Sequence, residues 1–168
     1  MKAKRQIVDE SDNIIGYKFG VDVDPITEIY RVSALWLTNT QGQVLIAQRK
    51  WDKRNDPGKW GPAVAGTVEE GETYEENIYK ETEEEIGLKG IQLKAGPKQR
   101  VRGDTNFFCQ WYTATVDVPI QDFVIQEDEV EALEWMKLSN LQDALKSTPT
   151  KYLTGMQDIV DIFIGGKV

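Results

Sequence analysis

The chain has no histidine. That excludes imidazole acid–base catalysis, Ser-His-Asp triads and His-ligated zinc. Cysteine is reduced to one residue, Cys109. An intramolecular disulfide is therefore impossible, and a reducing, cytoplasmic setting is expected. Long apolar runs are also missing: none approaches the roughly 18 residues a membrane span needs. The start, MKAKRQIVDESD, is basic but lacks the apolar segment of a secretory signal. Positive charge is in deficit, with 20 Lys and Arg against 28 Asp and Glu and a net charge of −8. Neither nucleic acid nor a membrane is thus an expected partner. A phosphorylated small molecule stays compatible, because bound metal reverses the local sign.

What is present suits one globular domain over residues 1–168, with 40% hydrophobic and 29% charged residues. Residues 5–20 form a predicted hairpin, Gln6-Ile7-Val8 and Ile14-Ile15-Gly16-Tyr17 about a polar turn at Ser11-Asp12-Asn13. Tyr30–Leu37 is a buried strand, and Val44–Gln48 is its partner across the turn Asn39–Gly42. A basic loop occupies 50–62, and Ala63–Gly66 is a short strand. Further strands are expected near 91–101, over 105–118 and at Leu133–Met136. Helices are expected at Leu138–Leu145 and Tyr152–Ile164. Strands and helices mixed in this order predict a sheet covered by helices, an α+β fold.

The run Gly66–Leu88, GTVEEGETYEENIYKETEEEIGL, packs nine acidic residues between Glu69 and Glu85 with Lys80 as the only base. Its middle reads as a helix. Thr73 is an N-cap, and Glu76 completes a capping box. Tyr74, Ile78, Thr82 and Ile86 give the buried stripe, and Gly87 the stop. On that helix Glu81, Glu84 and Glu85 fall within an arc of roughly 100°. Three carboxylates so close need a counter-charge, which Mg2+ or Mn2+ supplies through oxygen ligands. A solvated acidic face accounts for the same composition.

The spacing decides between them. The run resembles the Nudix box, a glycine, five residues, a glutamate, seven residues, then R-E-U-x-E-E-x-G-U with U aliphatic. Gly66, Glu72, Glu81, Glu84, Glu85, Gly87 and Leu88 match; Lys80 replaces the arginine and Thr82 the first aliphatic residue. The VLIAQR strand, the PGKW loop and the EDEVEALEWM segment lie where Nudix domains have comparable elements. The resemblance implies an α/β/α sandwich with a mixed central sheet behind the N-terminal hairpin. It also implies a pyrophosphohydrolase in which Mg2+ or Mn2+ assists water attack at phosphorus. Glu84 and Glu85, helped by the Gly66 carbonyl, would be the main ligands, with Glu81 a ligand or the base. Glu129, with Glu127 next, is the candidate for a further acidic ligand outside the box, and a solvated loop carboxylate is the alternative. Lys80 keeps the arginine's charge without its bidentate fork and would brace Glu72. The Thr82 hydroxyl would bond back to the helix.

Arg49, Arg100 and Arg102 are candidates for phosphate binding, against ordinary surface ion pairs. Trp51 is a candidate for base stacking, while Trp60 is expected to be structural. The hairpin IVDESDNIIGY before RVSALWL resembles the branch near type I isopentenyl-diphosphate isomerase. That enzyme uses a cysteine and a glutamate and binds metal through histidines. With no histidine, and with Cys109 in an apolar strand, this chain lacks that chemistry. A hydrolase of nucleoside diphosphate-linked or related diphosphates is the resulting expectation. A non-catalytic nucleotide-binding module is the alternative, and a homodimer through the Trp-rich strands stays open.

Overall fold

The computed structural model describes residues 3–165. Its spine is strand β3 (Ile29–Thr38), whose apolar alternation buries both faces: Ala34 and Trp36 on one, Leu35 and Leu37 on the other. Along one edge β3 pairs in parallel with β8 (Phe107–Thr115), from Tyr30 opposite Phe107 to Thr38 opposite Thr115. Strand β7 (Lys94–Val101) lies outside β8. The other edge of β3 takes three partners in turn. These are β1 (Lys4–Val8) at Ile29 and Tyr30, β6 (Val64–Thr67) at Val32 to Leu35, and β4 (Gln43–Arg49) at Thr38. Strand β2 (Ile14–Phe19) completes the expected N-terminal hairpin with β1.

Here the structure corrects the sequence. The β3 and β4 segments are joined by the expected turn but pair only at Thr38 and Val44. Beyond that point they diverge, because β6 occupies the β3 edge while β4 pairs with β5 (Trp60–Pro62) and with β9 (Val130–Lys137). The divergence opens a cleft between β6 and the β4–β5 pair.

Helix α1 (Tyr74–Ile86) covers one face, where Ile78 and Ile86 are fully buried against Leu35, Leu37 and Leu45. Such burial is worth about 1.5–3 kcal/mol per side chain. Helices α2 (Leu138–Ser147) and α3 (Met156–Ile164) cover the other, with Leu141, Met156 and Val160 against Trp36, Ile46 and Trp111. The result is the expected α/β/α sandwich about a mixed sheet. The last helix starts at Met156 rather than Tyr152. Gly155 is left-handed (φ 86°), and Tyr152 instead makes a β-bridge with Trp60. Among the described residues no helix is long and apolar enough to cross a membrane.

Both expected caps of α1 form. The Glu76 N–H donates to Thr73 Oγ1 (3.1 Å), and the Thr73 N–H to Glu76 Oε2 (2.8 Å). Gly87 is left-handed at φ 72°, and a Cβ there would lie 2.7 Å from Val124 Cβ. Gly87→Ala therefore combines left-handed strain with a clash. It is expected to cost about 2 kcal/mol and to lower Tm by roughly 4–8 °C in thermal unfolding.

Candidate functional site

The loop before α1 is fixed by a side chain from the other end of the sequence. Gln6, 1% exposed on β1, donates from Nε2 to the carbonyls of Glu69 (2.7 Å) and Glu72 (2.6 Å). Glu72 accepts from the Glu69 N–H (2.9 Å), from Asn77 Nδ2 (2.9 Å) and from Lys80 Nζ (2.7 Å). Burial raises the Glu72 pKa, but Lys80 and these N–H donors outweigh it and hold the carboxyl below its usual range. Lys80 also reaches Glu69 (3.1 Å) and Glu81 (3.5 Å). Burial works against its ammonium, yet the glutamates hold its pKa above the usual value.

Asn77, fully buried on α1, is the hub between loop and helix. Its Nδ2 donates to the Thr67 carbonyl (3.1 Å), to Glu72 and to Glu81 Oε1 (3.3 Å), while its Oδ1 accepts from the Ser33 hydroxyl. Glu81 lies directly over Gly66: a Cβ at that glycine would sit 2.3 Å from Glu81 Cγ. The glycine is required by this approach of side chain to backbone. Glu81 has its pKa raised, chiefly by burial, with Glu84 and Glu72 adding and Lys80 opposing.

Glu85 and Glu129 share a small pocket of about 50 Å³ with Arg49, Ala65 and Leu153, in the cleft between β6 and the β4–β5 pair. Burial, then the carboxylates of Glu81 and Glu129, push the Glu85 pKa up to about 8; the Ala65 N–H and Arg49 oppose this. Glu129 is ion-paired with Lys53. Glu84 is exposed. Among the described residues no three carboxylates converge closely enough to hold an ion as they stand. The donors are nonetheless all oxygens, as Mg2+ or Mn2+ requires, and their mutual repulsion is the field that a cation relieves. The donor set therefore suits such an ion in its chemistry, with Glu129 paired to Lys53 as it stands.

The other predicted residues divide. Arg49 lines the pocket, and its Nε donates to the Asn55 carbonyl (3.2 Å). Arg100 and Arg102 do not line it. Both pair with Glu10 of the hairpin turn, at 3.0 Å and 2.9 Å, across β8 and β3 from the cleft. Trp51 is 66% exposed and lies against Gly58 outside the pocket, whereas Trp60 packs on the core. Glu127 is exposed. Gln6, Lys53 and Asn77 were not singled out in the sequence. Asn77 alone left a trace, standing four residues before Glu81 on one helical face.

Fold and site together define the class of protein. The NUDIX domain model matches residues 28–154, and the chain belongs to that family, as a Nudix hydrolase. It is 30% identical over 130 residues to an isopentenyl-diphosphate Delta-isomerase of Klebsiella pneumoniae, covering 73% of this chain and 69% of that protein. It is 26% identical over 161 residues to a prenyl-diphosphate phosphatase of Methanosarcina mazei, covering 95% and 94%. In fold it is similar to a Deinococcus radiodurans protein, with a TM-score of 0.82 at 21% identity over 94% of this chain and 96% of that one.

Two substitutions probe the loop–helix unit. Gly66→Ala displaces Glu81 and is expected to lower turnover by at least about tenfold while circular dichroism shows the fold retained. Glu72→Gln removes a carboxylate whose lowered pKa contributes stability above its unfolded value of about 4.5. It is expected to cost about 1–3 kcal/mol at pH 7 in denaturant titration, and the difference from the parent should vanish as pH falls through the folded-state pKa.

Proposed function

We propose that the protein is a divalent-metal-dependent hydrolase that splits the diphosphate link of a small molecule, a nucleoside diphosphate derivative or related diphosphate, by attack of water at phosphorus. The observation that carries this reading is geometric: Glu85 and Glu129 face one small pocket beside Arg49, and burial with the neighbouring carboxylates pushes the Glu85 pKa up. Such a group holds its proton at low pH and costs stability once ionised, unless a cation takes it up. In this reading Glu84, Glu85 and Glu129, with the Gly66 carbonyl, hold Mg2+ or Mn2+. The bound ion supplies Lewis-acid polarisation and charge neutralisation.

The chain's own groups do the rest. Glu81, held by Asn77 and by its seat on Gly66, takes the proton of the attacking water. As the new O–P bond forms, the P–O bond to the leaving phosphate breaks, and charge gathers on the leaving oxygen. Arg49 offers its guanidinium to a phosphate in the same pocket. The name of the Methanosarcina relative, a prenyl-diphosphate phosphatase, is consistent with this chemistry. A non-catalytic binding module is disfavoured by the retention of Glu81, Glu84 and Glu85 together. An isomerase using Cys109 is disfavoured because that side chain is 3% exposed and burial pushes its thiol pKa well up.

Glu85→Gln or Glu84→Gln is expected to cut Mg2+-dependent phosphate release by at least about a hundredfold with Tm retained. Cys109→Ala should leave turnover unchanged; full activity in either glutamine variant would sink the hydrolase.

The pH dependence follows from Glu85. Its folded pKa lies above its ordinary 4.5, so the folded chain holds this proton more tightly than the unfolded one. The stability this contributes is full below about 4.5 and is lost as pH rises through about 8. In EDTA, Tm should therefore fall from pH 5 to pH 8.5 by an increment that Glu85→Gln removes. Adding Mg2+ should raise Tm most at the alkaline end, where activity should also peak. A flat difference between parent and variant across this range would contradict the assignment.

A further inference from the structure

The N-terminal hairpin lies outside the matched domain, which begins at residue 28, yet its turn is joined to the loop before α1 by a continuous chain of hydrogen bonds. Asp12 stands in that turn in a left-handed conformation (φ 62°), with its side chain only 12% exposed. Its Oδ1 accepts from Arg31 Nε at 2.7 Å, and its carbonyl accepts from Arg31 Nη2. Arg31 Nη1 in turn donates to Gln6 Oε1 at 2.9 Å. That bond fixes which way the Gln6 amide faces, so both hydrogens of Nε2 are directed at the Glu69 and Glu72 carbonyls. Lys98 Nζ (2.6 Å) and the Tyr74 hydroxyl (3.1 Å) complete the cluster on Asp12. The Arg31 and Lys98 cations lie 5.1 Å and 4.6 Å from the centre of the Tyr74 ring. Burial opposes ionisation of Asp12, but Lys98 and Arg31 outweigh it and hold the carboxyl below its usual range.

We propose that Asp12, Arg31 and Gln6 are positioning residues for the hydrolase: through them the hairpin sets the loop 67–72, and the loop sets Glu81, resting on the reading of Glu81 as the base. On the far side of the loop the relay narrows to one amide. The Thr67 carbonyl and the Glu72 carboxylate, at the two ends of the loop, both accept from Asn77 Nδ2, which also meets Glu81 Oε1. Main-chain bonds hold the first part of the loop without help. The Gln6 N–H donates to the Val68 carbonyl (3.3 Å), the Val68 N–H to Arg31 (2.9 Å) and the Glu70 N–H to Lys4 (2.7 Å). Among the described residues these ties to β1 and β3 end at Glu70. The Gln6 side chain carries the hold on to Glu72, the residue that meets Lys80 and Asn77. A shift of Glu72 is thus passed to Glu81, where misplacement of about 1 Å is enough to slow a reaction severely.

The test is a double-mutant cycle on kcat, with uridine diphosphate and geranyl diphosphate as substrates in Mg2+. Gln6→Leu removes the amide, and Asp12→Gly removes the carboxylate at a φ that glycine accepts freely. Gln6→Leu is expected to lower kcat about tenfold and Asp12→Gly about fivefold, with KM within about twofold of the parent. The double variant should be no slower than Gln6→Leu, because residues that act through one another are not additive. Val8→Ala, on the same strand and 2% exposed, is the stability control: it should lower Tm at least as much and leave kcat unchanged while the protein is folded. Should Gln6→Leu not fold, Arg31→Lys, which replaces the fork by one ammonium, takes its place in the cycle. Amide chemical shifts give a readout without turnover: Asp12→Gly should move the Gly66 and Glu69 signals in the parent background and not in the Gln6→Leu background. Unchanged kcat in Gln6→Leu, losses that multiply in the double variant, an equal loss of kcat in Val8→Ala, or no movement at Gly66 and Glu69 would each overturn the proposal. Failure of the parent protein to hydrolyse any diphosphate would overturn the hydrolase reading alone, and the shifts would still decide the relay.

Discussion

The structure depends on holding carboxylates where electrostatics disfavours them. Glu83, Glu84 and Glu85 occupy the last turn of α1, which contains no basic residue and carries the negative end of the helix dipole. Burial and proximity to Glu81 and Glu129 add to the cost at Glu85. The compensations come from outside that turn. Lys89 pairs with Glu83 at 2.6 Å, Lys80 lies 3.5 Å from Glu81, and Lys53 pairs with Glu129. A chain tuned for stability alone would place lysine or arginine in this turn. The cost concentrated here is what the proposed metal site accounts for.

The cleft that receives these groups is a consequence of strand pairing. Had β3 and β4 continued as a regular hairpin, the space between Ala65 and Arg49 would be filled by ladder hydrogen bonds. Instead β3 gives its edge to β1, β6 and β4 in succession, and β4 turns to β5 and β9. Gly66 is thereby carried on one sheet segment and Arg49 on another, with α1 bridging them through Glu81 and Glu85. The apolar layers on either face pack the strands and the capped helix that carry Arg49, Gly66, Glu81 and Glu85, while Glu129 comes from the turn just before β9.

Legibility in the sequence followed the range of the interactions. The capping box at Thr73 and Glu76, the stop at Gly87 and the two-residue alternation of β3 are local, and each was readable from a few neighbouring residues. The carboxylates were readable because their spacing on one helix is fixed by 3.6 residues per turn. The divergence of β3 and β4 was not, since it depends on β6 and β9 competing for their edges. Nor was Gln6, which acts on Glu69 and Glu72 more than 60 residues away. The pairing of Arg100 and Arg102 with Glu10 is of the same long-range kind, joining β7 and the residue after it to the N-terminal hairpin turn.

The two departures from the Nudix pattern are explained by local geometry. An arginine at position 80 would present a planar guanidinium whose fork favours bidentate pairing with a carboxylate. Lys80 presents a compact ammonium with three donors, and here three carboxylates, Glu69, Glu72 and Glu81, lie within 3.5 Å of it. The bidentate geometry is given up, and a positive charge within reach of all three carboxylates is kept. Thr82 is 1% exposed, so its hydroxyl needs a partner, and it donates to the Ile78 carbonyl at 2.6 Å. An aliphatic residue would fill the same space without that bond. Neither change touches Glu84 or Glu85, so the pattern relaxes at two positions that brace and pack the helix and keeps the carboxylates of its last turn.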